Sequence, residues 1–226
     1  MASLFFAVHL PVPPTRSRPG HPPPPQSFTL RDDDWHRASI QQSLAHWDGR
    51  SDLWVFGYGS LIWRPEFDFL EARRARIHGY HRALCLWSRI NRGTPERPGL
   101  VFGLDLGGAC TGRVYRIAGR DAPQTLLALW RREMPSAAYH PRWLACRTGQ
   151  GTVSGLVFVM NRQDSSYASG LSLEQTVAAV RQGHGRYGAC TEYVLQTARA
   201  LEQAGIPDRA LRPITRALSS TEPSTL

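Results

Sequence analysis

The sequence predicts an α+β domain built on a mixed sheet or small barrel. Several short apolar runs read as strands, glycine turns join neighbouring runs at hairpin distance, and helical periodicity enters once between the strands and then closes the chain. The length of 226 residues suits one globular domain with extensions, and 42% apolar content can fill its core.

Taken in order, residues 1–29 hold eight of the seventeen prolines, including Pro22 to Pro25, so a disordered leader is expected there, or a start codon assigned too far upstream. Leu4 to Val8 is apolar but short and follows no basic residue, which makes a poor secretory signal. A cytoplasmic location is the expectation. Residues 30–49 fit a short amphipathic helix, with Asp32 to Asp34 as cap and Trp35, Ile40, Leu44 and Trp47 as its apolar positions. The main domain is expected over 50–218, followed by a tail at 219–226. Leu53-Trp54-Val55-Phe56 reads as a buried strand entering the tight loop Gly57-Tyr58-Gly59-Ser60.

Strand-like segments follow near 75–88, 100–106 and 110–117, and Gly107-Gly108 predicts a hairpin between the last two. Asp121 and Pro123 open a helix running to about Arg132, with Leu126, Leu127 and Trp130 on one face. Two strands, 143–148 and 152–160, flank Gly149-Gln150-Gly151. Helices at about 172–182 and 189–204 follow, and Pro207 starts a short last one. No stretch approaches ~20 uninterrupted apolar residues, so a transmembrane helix is not expected.

All 27 basic residues are arginine, against eight glutamates and ten aspartates. The absence of lysine excludes Schiff-base and P-loop chemistry outright. A net charge of +9 would suit nucleic acid or an acidic small molecule. Its clusters, such as Arg73, Arg74 and Arg76, have carboxylates or apolar residues close by, which favours a solvated arginine-rich surface. Neither nucleic acid nor membrane is expected as a partner. Cys85, Cys110, Cys146 and Cys190 are too widely spaced for a CxxC site, and buried free thiols are expected for Cys85 and Cys110.

Other motifs fare no better. Gly183-His184-Gly185-Arg186-Tyr187-Gly188 spells GxGxxG, but a helix precedes it where the dinucleotide fingerprint needs a strand, so it reads as a helix–helix connection. His78 and His81 have odd spacing, which puts them on opposite faces of a regular strand. No metal site follows from them.

Two features do carry chemistry. The loop around Ser60 lacks the G-x-S-x-G nucleophile pattern, but Gly57 and Gly59 let backbone amides turn toward a carboxylate or an oxyanion. An ordinary strand-to-loop turn is equally consistent. Glu133 ends an apolar-faced helix; tucked against the sheet it would have a raised pKa and serve as a base near neutral pH. A solvated helix-end carboxylate paired with arginine is the other reading.

The stretch Val55-Phe56-Gly57-Tyr58-Gly59-Ser60-Leu61-Ile62-Trp63, with Pro65 and Phe67, resembles the signature of the ChaC family of γ-glutamylcyclotransferases. Collinear matches follow at Gly79-Tyr80-His81-Arg82, Arg92-Gly93-Thr94-Pro95 with Pro98-Gly99, Trp130-Arg131-Arg132-Glu133-Met134 with Tyr139, and Thr191-Glu192-Tyr193, so the resemblance spans about residues 53–216. It implies a small mixed β-barrel with flanking helices. The implied activity is cleavage of glutathione, or a related γ-glutamyl compound, to 5-oxoproline and the released amine, with no metal or organic cofactor. Glu133 matches the family's catalytic glutamate. Phe56, Gly57, Tyr58, Gly59, Ser60 and Leu61 match its substrate-binding loop, and Tyr139 a pocket tyrosine; Tyr193 is a further candidate. A cyclotransferase for other γ-glutamyl amines or peptides, and a non-catalytic basic binding module, are the rival readings.

Overall fold

The computed structural model describes Pro22 and residues 29–220. Nearly all of the expected leader, and residues 221–226 of the expected tail, lie outside the described residues.

Five strands close a barrel in the order β1-β3-β2-β4-β5: β1 is Leu53–Gly57, β2 Glu71–Ser88, β3 Gly99–Ile117, β4 Tyr139–Thr148 and β5 Gly151–Met160. Neighbours are antiparallel except β1 and β5, whose parallel pairing of Trp54 with Gly155 and Val55 with Leu156 closes the ring. Helices α1 (Asp33–Ser43), α2 (Ala122–Glu133), α3 (Leu173–Gln182), α4 (Cys190–Gln203) and α5 (Arg212–Ser219) flank it. A two-stranded hairpin, β6 (His184–Gly185) with β7 (Gly188–Ala189), fills the connection from α3 to α4.

The apolar run of β1 is buried on both faces because alternate residues enter two different clusters. Val55 packs with Leu126, Trp130 and Phe158, whereas Phe56 packs with Ile77, Val114, Val180 and Val194. On β5, Leu156 and Phe158 join the first cluster, and Val157 and Val159 the second.

The hairpin expected at Gly107-Gly108 is absent. Both flanking segments belong to β3, which pairs with β2 from Glu71↔Arg116 to Ser88↔Gly99. Gly107 (φ +101°) and Gly108 (φ +72°) lie at a register shift opposite Gly79 (φ +87°). Glycine correctly signals positive φ here, but the product is a bulge that bends a long strand around the barrel. The same irregularity breaks the alternation assumed for His78 and His81, and both are exposed. The loop that does join β2 to β3 is residues 89–98, which borders the cleft described below.

Helix α1 begins where Asp32 accepts a hydrogen bond from the Trp35 amide. It packs across α2: Trp130 donates its indole N–H to Ser39 Oγ at 3.0 Å, Asp33 pairs with Arg131, and His36 Nε2 lies 2.9 Å from the Met134 carbonyl. These contacts fix the C-terminal end of α2. Trp130 is fully buried and meets Phe158 edge-on at 5.0 Å. We expect Trp130→Ala to lower the unfolding free energy by about 3–5 kcal/mol, read by denaturant titration; a loss below ~1 kcal/mol would mean that this contact does not hold α2 to the barrel.

Candidate active site

A cleft of about 1070 Å³, open to solvent, lies between the corner that follows β1, the end of α2 and the 89–98 loop. Tyr58, Gly59, Ser60, Leu61, Glu133, Tyr139 and Tyr193 line it, although they span more than half the chain. Phe56 and Gly57 do not. Phe56 is wholly buried and stacks on Tyr58 at 6.5 Å, and Gly57 packs so tightly that a Cβ there would lie 2.9 Å from Leu61 Cβ. These two shape the corner from behind.

The corner is held by its carbonyls. Buried Arg82 donates from Nε to the Tyr58 carbonyl at 2.5 Å, and its other nitrogens reach Asp208 and the Thr111 carbonyl at 2.6 Å each. Tyr115 donates its hydroxyl to the Leu61 carbonyl at 2.7 Å. In a trans peptide the carbonyl and the following N–H point in opposite directions, so pinning the Tyr58 oxygen on Arg82 turns the Gly59 amide away from Arg82. A 3-10 turn at Ser60–Ile62 follows, closed by the Ile62 amide on the Gly59 carbonyl. Arg132 ties this turn to α2, donating to Ser60 Oγ at 3.0 Å, to the Arg64 carbonyl at 2.7 Å and to Glu66 at 2.8 Å. Glu66 also pairs with Arg64 and sits at φ 58°, an uncommon conformation for a non-glycine residue.

Glu133 is the last residue of α2, where the helix turns into the cleft wall. Its side chain is 18% exposed, and Arg132 Nε approaches Oε1 at 3.1 Å. The approach lacks hydrogen-bond geometry, so Oε1 is a buried acceptor with no hydrogen bond among the described residues. Burial raises its carboxyl above the usual carboxylate range; Arg132 opposes that rise, and Glu66 adds to it. Arg132 does not cancel the burial effect because desolvation is the larger of the two. The Tyr58, Tyr139 and Tyr193 hydroxyls are pushed up by burial, with the nearby Glu133 charge contributing, so all three remain protonated donors. Tyr139 donates to the Phe102 carbonyl at 2.9 Å, and the Phe102 amide donates to the Tyr193 hydroxyl at 3.2 Å.

All four cysteines are buried and free. Burial raises their thiols, to about 11 at Cys146 and Cys190, which keeps them protonated and poor nucleophiles. Cys85 and Cys146 fill space beside glycines, since a Cβ on Gly103 or Gly155 would lie 2.7 Å from their sulfurs. Among the described residues, no three His, Cys, Asp or Glu side chains converge as a metal site. The arginine-rich surface expected from composition has exceptions: Arg82, Arg89 and Arg92 are buried. Sequence reasoning missed Arg92 in the cleft wall and the tether made by Arg132. Both lie in stretches that match the family, but nothing in their spacing distinguishes a structural arginine from a solvated one.

The sequence profile described as ChaC-like protein matches residues 53–220. The chain belongs to the ChaC-like family. The chain is 33% identical over 178 residues to the glutathione-specific γ-glutamylcyclotransferase of Escherichia coli (strain K12), covering 78% of this chain and 77% of that protein. It is 30% identical to glutathione-specific γ-glutamylcyclotransferase 1 of Danio rerio, covering 76% and 92%. It is also 30% identical to γ-glutamylcyclotransferase 2-3 of Arabidopsis thaliana, covering 70% and 83%. The crystal structure of a glutathione-specific γ-glutamyl cyclotransferase from yeast superposes with a TM-score of 0.67 at 22% identity, covering 74% of this chain and 96% of that one. The ChaC-like fold is thus the closed barrel with flanking helices described above.

Gly59 faces the cleft with little room, because a Cβ there would meet the Tyr193 hydroxyl at 3.2 Å and Phe102 Cβ at 3.6 Å. Gly59→Val is expected to lower kcat/KM at least tenfold while circular dichroism is unchanged; an unaltered kcat/KM in the folded variant would remove the corner from the site.

Proposed function

We propose that this protein is a glutathione-specific γ-glutamylcyclotransferase that converts glutathione to 5-oxoproline and cysteinylglycine. One observation carries the reading. The desolvated carboxylate of Glu133, with an acceptor oxygen that lacks a hydrogen bond, shares a cleft with the Tyr58–Leu61 corner. The names of the E. coli and D. rerio relatives agree with it.

The substrate supplies its own nucleophile. Its α-amine attacks the γ-carbonyl carbon, a new C–N bond closes a five-membered lactam, and the old C–N bond to cysteine breaks. Closure is intramolecular, and effective molarities for such reactions reach ~10⁵ M or above, so selecting the folded conformer supplies much of the acceleration. The ammonium must first lose a proton. Glu133 takes it. As the lactam forms, the attacking nitrogen gives up a second proton, and Glu133 relays a proton to the amide nitrogen, which departs as the amine of cysteinylglycine. A carboxylate of raised pKa suits these transfers. No protein nucleophile is needed, which accords with four protonated thiols and no lysine. Amides of the 58–61 corner hold the γ-glutamyl group at its α-carboxylate or at the developing oxyanion, and each preorganised oxyanion donor is typically worth ~3 kcal/mol. Free buried thiols fit a cytoplasmic location. No described helix is long and apolar enough to cross a membrane.

The test is a substrate panel. Purified protein with glutathione should release 5-oxoproline and cysteinylglycine in equal amounts, with lower kcat/KM for γ-glutamyl dipeptides. Glutathione acetylated on its α-amine should be inert, because its nitrogen has lost nucleophilicity. Release of glutamate in place of 5-oxoproline, or turnover of the acetylated compound, would overturn the mechanism; preference for a γ-glutamyl dipeptide would overturn the substrate.

A further inference from the structure

We infer that Arg92 is a substrate-carboxylate subsite, set in place by a glycine-lined clasp between the 89–98 loop and the β6–β7 hairpin. The inference rests on the cyclotransferase reading and adds to it a specificity-determining residue.

Arg92 is 6% exposed and is among the residues that line the cleft. Nη1 donates to the Ala189 carbonyl at 3.1 Å, and the guanidinium lies 5.2 Å from the centroid of the Tyr193 ring. Among the described residues no carboxylate forms an ion pair with it; Glu192, an exposed side chain, acts only at longer range. The other cleft arginines are engaged differently. Arg64 and Arg132 both pair with Glu66, and Arg89 interacts with Asp164. A buried guanidinium without a counter-ion is costly, and one carbonyl satisfies only one of its five N–H donors. A carboxylate entering the cleft would supply the charge and a bidentate acceptor together.

The clasp explains how the fold keeps Arg92 there. Arg186 donates its amide to the Ile90 carbonyl at 2.7 Å, and Tyr187 its amide to the Asn91 carbonyl at 3.0 Å. The two segments approach so closely that a Cβ on Gly185 would lie 2.6 Å from the Arg92 amide nitrogen, and a Cβ on Gly183 2.6 Å from the Arg92 carbonyl. Gly93 and Gly99 are equally confined, with backbone atoms 2.3 and 2.2 Å from their Cβ positions. The GxGxxG letters at 183–188 therefore mark close backbone packing around Arg92.

Glutathione carries two carboxylates, the γ-glutamyl α-carboxylate and the glycyl one, and the experiment separates them. Kinetics of wild type, Arg92→Gln and Arg92→Lys would be compared on glutathione and on its glycinamide analogue. Arg92→Gln should raise KM for glutathione ~10- to 100-fold with kcat changed less than threefold, and Arg92→Lys should recover part of the loss. If the penalty vanishes on the glycinamide analogue, the subsite takes the glycyl carboxylate; if it persists, the α-carboxylate. Calorimetric binding of glutathione in a Glu133→Gln background, with and without Arg92→Gln, reads the subsite independently of turnover. Unchanged KM and unchanged glutathione affinity in folded Arg92→Gln would overturn it, as would a loss confined to kcat or to the melting temperature. A wild type that binds glutathione through Arg92 but forms no 5-oxoproline would overturn the cyclotransferase reading and leave the subsite standing.

Discussion

The carboxylate of Glu133 is held where water cannot solvate it fully, and much of the surrounding structure serves to keep it there. A free helix end would let this side chain swing into solvent. Here α1 crosses α2, with His36 against the Met134 carbonyl and Trp130 wedged between Ser39 and Phe158. Arg132, the nearest cation, also binds Glu66 and Ser60, and it moderates the burial effect without reversing it. The result is a carboxyl group whose pKa is raised above its ordinary value. That position costs free energy in the folded state, as is common where a fold carries chemistry.

The second requirement is a backbone aimed at the same space. Arg82 and Tyr115 reach the corner from inside the protein and bind its carbonyls, while Arg132 binds its serine from the side of α2. Asp208 anchors Arg82 from the segment before α5, so the C-terminal region takes part in holding a corner near residue 58. A barrel suits this task because strands distant in sequence converge at one end. β1 supplies the corner, β4 Tyr139, and β3 the Phe102 peptide that contacts both Tyr139 and Tyr193.

Much of the fold was legible locally. The apolar run of β1, the 143–148 and 152–160 pair, and the helix ending near Glu133 declare themselves through periodicity and glycine punctuation. The closure of the barrel does not, since parallel pairing of Trp54 with Gly155 leaves no mark on either segment alone. Gly107-Gly108 misled for a related reason: positive φ fits a hairpin turn or a bulge, and only the long partner strand β2 decides between them. At the cleft, the residues by themselves left two readings each for Glu133 and for the corner, and the resemblance to a known family selected between them. The functions of Arg82, Arg92 and Arg132 were hidden, because an arginine's burial is set by elements that meet it from elsewhere in the chain.

The decisive measurement pairs activity with stability in Glu133→Gln. Because burial raises the folded-state pKa of Glu133, the native protein holds this proton more tightly than the unfolded chain does. Stability must therefore fall as pH rises from the unfolded pKa through the folded one. Removing the charge should relieve that loss. The account predicts that, at pH 8, Glu133→Gln unfolds at higher denaturant than wild type, while the difference shrinks at pH 4. It also predicts that kcat for 5-oxoproline formation from glutathione falls at least a hundredfold. A variant that keeps wild-type turnover, or that is less stable than wild type at pH 8, would contradict the claim that a desolvated Glu133 carboxylate is the base.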